Sequence, residues 1–214
     1  MDLTSKNNIC ETMSDVSGHF NFVTKTKIKI AIVYYSLFGT TKSVAESVLE
    51  GVNSVEGVEA DLFTAEEALK NVQVFENYDG FIWGTPAYFG SLASGLKSFF
   101  EKTTPMFMTR AFQNKIATGF VNGASIAGDK QGALIDLFTF SSQQGMLWVP
   151  LGLIPAKVPV NEEYDLLNHA GFFSGAATRS TVNGVVGQTP SPGDLKTARF
   201  LGQRFANVAL QYYK

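Results

Sequence analysis

Residues 28–41 read Ile28-Lys29-Ile30-Ala31-Ile32-Val33-Tyr34-Tyr35-Ser36-Leu37-Phe38-Gly39-Thr40-Thr41. The first eight form a β-branched and aromatic run of strand length, apolar enough to be buried on both faces, as in the middle of a parallel sheet. The next six are a short loop with three hydroxyls and one glycine. Beyond it, Val44, Ala45, Val48, Leu49 and Val52 mark one helical stripe. A buried strand, a tight polar loop and an amphipathic helix are the opening of a β-α-β unit.

The alternation continues downstream. Val58, Ala60 and Leu62 alternate with Glu59 and Asp61, as in a half-covered strand. Phe81 to Trp83 predicts a second buried strand, leading into a Gly84-Thr85-Pro86 turn. Leu92, Leu96, Phe99 and Phe100 give a helical face, Ile116 to Val121 a strand, and Leu134, Leu137 and Phe138 another helical face. Met146 to Val149 is the last clear strand. The stretch from Pro150 to about Pro190 is irregular and rich in Gly and Pro, and a loop of that length is usually functional. In the closing helix Ser191 can cap, Pro192 suits the first position, and Leu195, Ala198, Leu201, Phe205 and Val208 line one side. Five strands alternating with helices predict a parallel sheet with right-handed crossovers. Residues 1–27 are polar apart from Phe20 and Phe22 and read as a flexible extension; residues 28–214 read as one domain.

Composition narrows the function classes. A chain of 214 residues suits one α/β domain, and 45% hydrophobic against 17% charged residues supplies its core. The net charge of −2 argues against a nucleic-acid partner, which calls for a basic face, and against an acidic shuttle that docks by charge. The single cysteine, Cys10, excludes an internal disulfide, a dithiol pair and a thiolate metal site. It also lies outside the first loop, where a low-molecular-weight phosphatase needs its thiol. No run approaches the roughly 20 apolar residues of a membrane span, and the N-terminal stretch lacks a signal-length apolar run, so the predicted location is cytoplasmic. Scattered carboxylates show no metal-ligand spacing. His169 has no spaced partner and reads as a surface or subunit contact; Trp83 and Trp148 read as core.

In an open parallel sheet, ligands sit outside the carboxyl ends of the strands where strand order reverses. Three strand-end loops therefore matter. Ser36 to Thr41 offers hydroxyls, a glycine and the free N–H groups of a helix start, which suits a single phosphate; it equally suits an ordinary polar turn with a threonine cap. With no GxxxxGK[ST] and no GxGxxG there, triphosphate and dinucleotide loops are set aside. Gly84-Thr85-Pro86-Ala87-Tyr88-Phe89-Gly90-Ser91 puts two flat aromatic faces at a strand end, where they could flank a planar ligand or plug the rim. Asn122-Gly123-Ala124-Ser125-Ile126-Ala127-Gly128-Asp129 is built of small residues that let backbone groups reach a ring edge.

The first loop, GTPAYFGSLASGLKSFF (84–100) and TPSPGDLKTARFLGQRFANVAL (189–210) together resemble the WrbA-type NAD(P)H:quinone oxidoreductases of the flavodoxin-like superfamily. The resemblance implies a doubly wound five-stranded parallel sheet of order 2-1-3-4-5 with helices on both faces. It implies an FMN cofactor, NADH or NADPH as electron donor, a quinone-like acceptor, and a homotetramer or dimer whose sites neighbouring subunits complete. Carried over by position, Ser36, Leu37, Phe38, Gly39, Thr40 and Thr41 hold the FMN phosphate. Pro86, Ala87, Tyr88, Phe89 and Gly90 pack on the isoalloxazine, and Asn122, Gly123, Ala124, Ser125 and Gly128 border its pyrimidine edge. Phe38 and Phe107 match aromatic positions near the nicotinamide or quinone. Three departures stand out: Gln143-Gln144 where the family commonly has a His pair, Tyr88 where it often has Arg, and Phe107 where it often has Trp. Gln144 is carried over with the cofactor-binding residues, although it can offer only a neutral hydrogen bond there. FMN binding survives these departures, and quinone specificity is what they change. The flavin performs the redox step, so no catalytic side chain is demanded. The alternative is a flavodoxin-type electron carrier without pyridine-nucleotide turnover.

Overall fold

A computed structural model of the chain describes residues 25–156 and 166–214. Most of the predicted extension, with Phe20 and Phe22, lies outside the described residues. Its last part is tied to the domain: Lys25 N–H donates to Tyr213 O at 3.0 Å, and the Lys25 ammonium pairs with the Asp79 carboxylate.

In chain order the elements are β1 (Ile28–Tyr34), α1 (Thr40–Asn53), β2 (Val58–Thr64), α2 (Ala65–Ala68), a 3-10 turn (Val72–Asn77), β3 (Gly80–Tyr88), β4 (Ser91–Leu92), α3 (Ser94–Lys102), α4 (Thr104–Thr109), β5 (Ile116–Gly123), α5 (Lys130–Gln143), β6 (Leu147–Trp148), β7 (Ala176–Arg179) and α6 (Pro192–Tyr212). The long strands are parallel in the order β2-β1-β3-β5, and β6 adds to the far edge. Counted along those five, this is the doubly wound order the sequence predicts. The chain turns from β1 outward to β2, then back across to β3, so the reversal lies between β1 and β3.

β1 is covered on both faces because its residues alternate between two cores. Ile28, Ile30, Ile32 and Tyr34 pack with Val44, Val48, Leu201 and Phe205 of α1 and α6. Ala31 and Val33 face the other way, toward Leu96 and Phe99 of α3 and Leu134 and Leu137 of α5. In that second core the Trp83 ring is fully buried, and its indole N–H donates to Ser141 Oγ at 3.0 Å.

Three strands depart from the sequence reading, the shortest being β4, which holds Leu92 ahead of the helix on whose face the sequence places it. The stretch after Pro150, read as irregular throughout, contains β7, which pairs with β5 from Phe120↔Ala176 to Gly123↔Arg179. The fifth position of the sheet is therefore filled in two pieces. β6 pairs only Leu147 and Trp148 with the start of β5, then Pro150, which has no N–H to continue a ladder, takes the chain away. The chain returns at Gly175, where a β-carbon would lie 2.3 Å from Gly119 O. The third departure is in the GTPAYFG segment. Gly84 to Pro86 is buried strand rather than a turn, with Pro86 in register with Asn122. Gly84 O accepts from Tyr35 N–H on the β1 side. Two residues on, Pro86 faces that same side, where β1 has ended, so its missing donor breaks no ladder.

Glycines set the helix spacing on the α1–α6 face. A β-carbon at Gly51 would sit 2.0 Å from Arg199 O, and one at Gly202 would sit 2.1 Å from Val48 O. The two helices cross backbone to backbone at these points.

Candidate functional site

The site is assembled where β1, β3, β5 and β7 end. After β1, Gly39 takes a left-handed conformation (φ 85°) at the start of α1. Ser36 Oγ accepts the N–H groups of Gly39 (3.1 Å) and Lys42 (3.2 Å), curling the loop over the helix start. Among the described residues the N–H groups of Thr40 and Thr41 meet no acceptor. Free donors at the positive end of a 14-residue helix are an anion-binding arrangement.

After β3 the chain makes a two-residue hairpin into β4, with Tyr88 opposite Ser91. Phe89 (φ 51°) and Gly90 (φ 77°) both take positive φ, the geometry that matches the twist of the two strands. The hairpin is held from three sides. Thr85 Oγ1 accepts Ala93 N–H at 2.9 Å, Asp136 on α5 accepts Leu92 N–H at 3.0 Å, and Gly132 lets Gly90 O approach so closely that a β-carbon would lie 2.2 Å from it. Burial, followed by the nearby Tyr35, raises the Tyr88 phenol above its ordinary range. Phe89 is wholly exposed despite its left-handed backbone, a combination that costs about 1–2 kcal/mol. We expect Phe89→Asn to raise the unfolding free energy by about 1 kcal/mol, because Asn tolerates this conformation. A urea melt checks it; an unchanged or lower midpoint would mean the turn carries no strain.

At the end of β5, Asn122 is buried and joins three elements. Its Nδ2 donates to Thr40 Oγ1 at 3.1 Å, and its Oδ1 accepts from Thr178 Oγ1 and Ser180 Oγ, each at 3.0 Å. Read in the sequence as a rim residue, it is a strut between the first loop and β7.

These loops enclose a cavity of about 260 Å³. Its walls include Leu37, Phe38, Thr40 and Thr41 from the first loop, Pro86, Ala87 and Tyr88 from the second, and Asn122, Gly123, Ala124 and Ser125 from the third. Ser36 and Gly39 shape the first loop from outside the lining, while Phe89 and Gly90 form the hairpin tip. Gly128 is open, with nothing within 4 Å of the place a β-carbon would take. The sequence alone does not single out Asp129 as a site residue, nor Ser180, Thr181, Val182 and Gly184, all of which line the cavity. The last four follow β7, a strand too poor in β-formers to announce itself; Asp129 stands in the small-residue loop with no role visible from its neighbours.

Phe107 and Gln144 are not brought to this cavity. Gln144 ends α5 at the edge where β6 begins, and its Nε2 donates to Thr103 Oγ1 (3.2 Å) at the foot of α3. Its Oε1 is buried without a donor among the described residues. Phe107 lies on α4, at the same amino-terminal edge, 42% exposed. His169, expected as a surface or subunit contact, is mostly covered within its own chain. Its Nε2 lies 3.0 Å from Asp194 Oδ1, and Asp194 Oδ2 accepts Arg179 N–H at 3.0 Å, so it braces the start of α6 against β7.

Residues 56–155 match the family model described as NADPH-dependent FMN reductase. The chain is 33% identical over 186 residues to the flavodoxin FldP of Pseudomonas aeruginosa, covering 86% of this chain and 98% of that one. It is 29% identical to an NAD(P)H dehydrogenase (quinone) of Chromohalobacter salexigens, covering 85% and 96%. The solved structure of a WrbA-like flavodoxin from Agrobacterium tumefaciens superimposes with a TM-score of 0.65 at 28% identity, covering 87% of this chain and 99% of that one. The chain is a WrbA-type member of the flavodoxin-like superfamily.

The donor set of this WrbA-type chain fits FMN. Unpaired N–H groups and threonine hydroxyls at the α1 start suit a phosphate without any lysine or arginine in the loop. A ring edge at this cavity would have backbone amides beside it at Gly123 to Ser125, and the Tyr88 ring would offer a flat wall. Among the described residues, no helix is long and apolar enough to cross a membrane.

Proposed function

We propose that the chain is an FMN-dependent oxidoreductase that passes two electrons from NADH or NADPH to a quinone-like acceptor. The observation that carries this reading is the convergence of the loops after β1, β3 and β5 on one cavity at the strand-order reversal. Relatives named as NAD(P)H dehydrogenase (quinone) and the FMN reductase family match support it. FMN supplies the hydride chemistry when bound. The chain's residues hold and orient it. Thr40, Thr41 and the N–H groups behind Gly39 take the phosphate, with Ser36 fixing the loop's shape. Tyr88 and the hairpin tip at Phe89 cover one ring face, and Gly123 to Ser125 with Asn122 border the pyrimidine edge. Phe38, 74% exposed at the rim, is placed to meet the nicotinamide or quinone ring.

Phe107 and Gln144 enter this reading through a neighbouring copy, because within one chain they lie at the opposite sheet edge. A homotetramer or dimer, checked by sedimentation, is the assembly that would bring them to a cavity. Cytoplasmic residence completes the proposal.

A second reading, an electron carrier without pyridine-nucleotide turnover, is favoured by the similarity to a flavodoxin at 33% identity. Steady-state NADPH oxidation with benzoquinone separates the two. FMN-loaded protein should bleach with NADPH without oxygen and regain its spectrum with the quinone. A protein that binds FMN but is not bleached is a carrier, and one that retains no FMN overturns both readings. Gly39→Val should weaken FMN binding at least about tenfold, since it combines a disfavoured left-handed backbone with a crowded side chain next to Val186. An unchanged affinity in a flavin-fluorescence titration would remove the first loop from the site.

A further inference from the structure

Asp129 occupies the position before the first turn of α5 without capping it. Its backbone is helical (φ −94°, ψ −17°) and its carboxylate receives no N–H from the helix. Instead Asp129 lines the cavity, and its Oδ1 is buried with no donor among the described residues. A buried acceptor without a donor is destabilising and is rarely left so in native proteins. The atom is therefore matched to a donor on whatever fills the cavity.

The loop leading to Asp129 is gripped from behind. Arg179 Nε donates to Ala124 O at 3.1 Å. The Lys130 ammonium donates to Ser125 O and, at 3.4 Å, to Ile126 O. Lys130 is fully buried, and neither cation lines the cavity, whereas Ala124 and Ser125 do. In a trans peptide the N–H points opposite its C=O. The N–H groups of Ser125, Ile126 and Ala127 are therefore turned away from the cations, and none meets an acceptor among the described residues. A buried acceptor beside a row of oriented donors is the complement of a cyclic imide: carbonyl, N–H, carbonyl.

We propose that Asp129 accepts the imide N–H of the flavin's pyrimidine ring, and that Lys130 and Arg179 are positioning residues that present the loop's N–H groups to the flanking flavin carbonyls. This rests on the FMN reading above. Burial holds the Lys130 ammonium below the usual lysine range, against the pull of Asp129 and Asp194, and the carbonyls of Ser125 and Ile126 are its hydrogen-bond partners.

The test is titration of the apo full-length chain with FMN and with FMN methylated at the imide nitrogen, read by flavin fluorescence. The unmodified protein should prefer FMN about tenfold or more, the factor a charge-assisted hydrogen bond carries. Asp129→Ala should lose that preference, binding both ligands alike, while Asp129→Asn, which keeps an acceptor, should retain part of it. Lys130→Met should weaken both ligands in parallel and leave their ratio intact in protein that circular dichroism shows to be fully folded, so that a reduced folded fraction is not the cause. Equal binding of both ligands by the unmodified protein overturns this inference and leaves the FMN reading standing. A preference that survives in Asp129→Ala overturns it too. Failure to bind FMN at all overturns the function reading itself.

Discussion

Replacing Gly202 with alanine should lower the unfolding free energy by about 3 kcal/mol, although alanine is the better helix former. The added β-carbon would stand 2.1 Å from Val48 O, and that neighbour is backbone in the middle of α1, not a flexible side-chain end. The helices can accept the methyl group only by separating, and separation loosens Val48, Val52, Leu201 and Phe205 together. For a domain of this size the loss corresponds to a fall of roughly 6–12 °C in Tm. Gly51→Ala should behave alike, because its β-carbon meets Arg199 O at 2.0 Å. Gln203→Ala, on the exposed side of α6, is the control and should be nearly neutral. Differential scanning calorimetry of the three variants decides it. A gain of about 1 kcal/mol for Gly202→Ala, as helix propensity alone would give, would mean that the helices do not cross so closely.

Asn122→Leu should be nearly as damaging to stability and more damaging to the cofactor. The side chain is buried and serves Thr40, Thr178 and Ser180 at once. Leucine matches its size but leaves the Ser180 hydroxyl without its acceptor and Thr178 with only a long contact to Val121 O, 3.5 Å. Stranding buried hydroxyls in this way costs about 1–3 kcal/mol each, and we expect about 3 kcal/mol in urea unfolding of the apo protein. The first loop also loses its tether at Thr40, so FMN affinity should fall at least about tenfold. Asn122→Asp separates the two effects. It keeps the acceptor for Thr178 and Ser180 and lets the Thr40 hydroxyl donate in its turn, but sets a negative charge beside the loop that takes the phosphate, so most of the FMN loss should remain while stability partly recovers. Wild-type stability in Asn122→Leu would show that the strut is dispensable.

Much of the fold is legible because its signals are local. The β-branched run at Ile28–Tyr34, the stripe on α1 and the Ser191-Pro192 start of α6 each depend only on nearby residues. The Ser191 cap is present, with its Oγ accepting Asp194 N–H at 3.2 Å. β7 is not legible, because Ala176-Ala177-Thr178-Arg179 has neither β-branched alternation nor aromatic residues. It is a strand because Gly175 admits it against β5, a long-range fact. His169 misleads in the same way: its partner Asp194 is 25 residues away and belongs to a helix start.

The site divides along the same line. Three strand-end loops can be named from spacing and composition, since a parallel sheet sends them all to one edge. How their atoms are used cannot. Ser36 binds its own loop, Asn122 turns inward as a strut, and Asp129 abandons the helix cap to face the cavity.

From its sequence alone, this chain determines a doubly wound parallel sheet, the edge at which a ligand must bind, and the residue types available there, because periodicity and strand-end chemistry are written locally. Only the tertiary structure decides which side chains face the cavity, which brace it from behind, and that Phe107 and Gln144 lie at the opposite edge. Those outcomes depend on hydrogen bonds and close approaches between segments far apart in the chain, and a buried polar atom has no meaning until its surroundings are assembled.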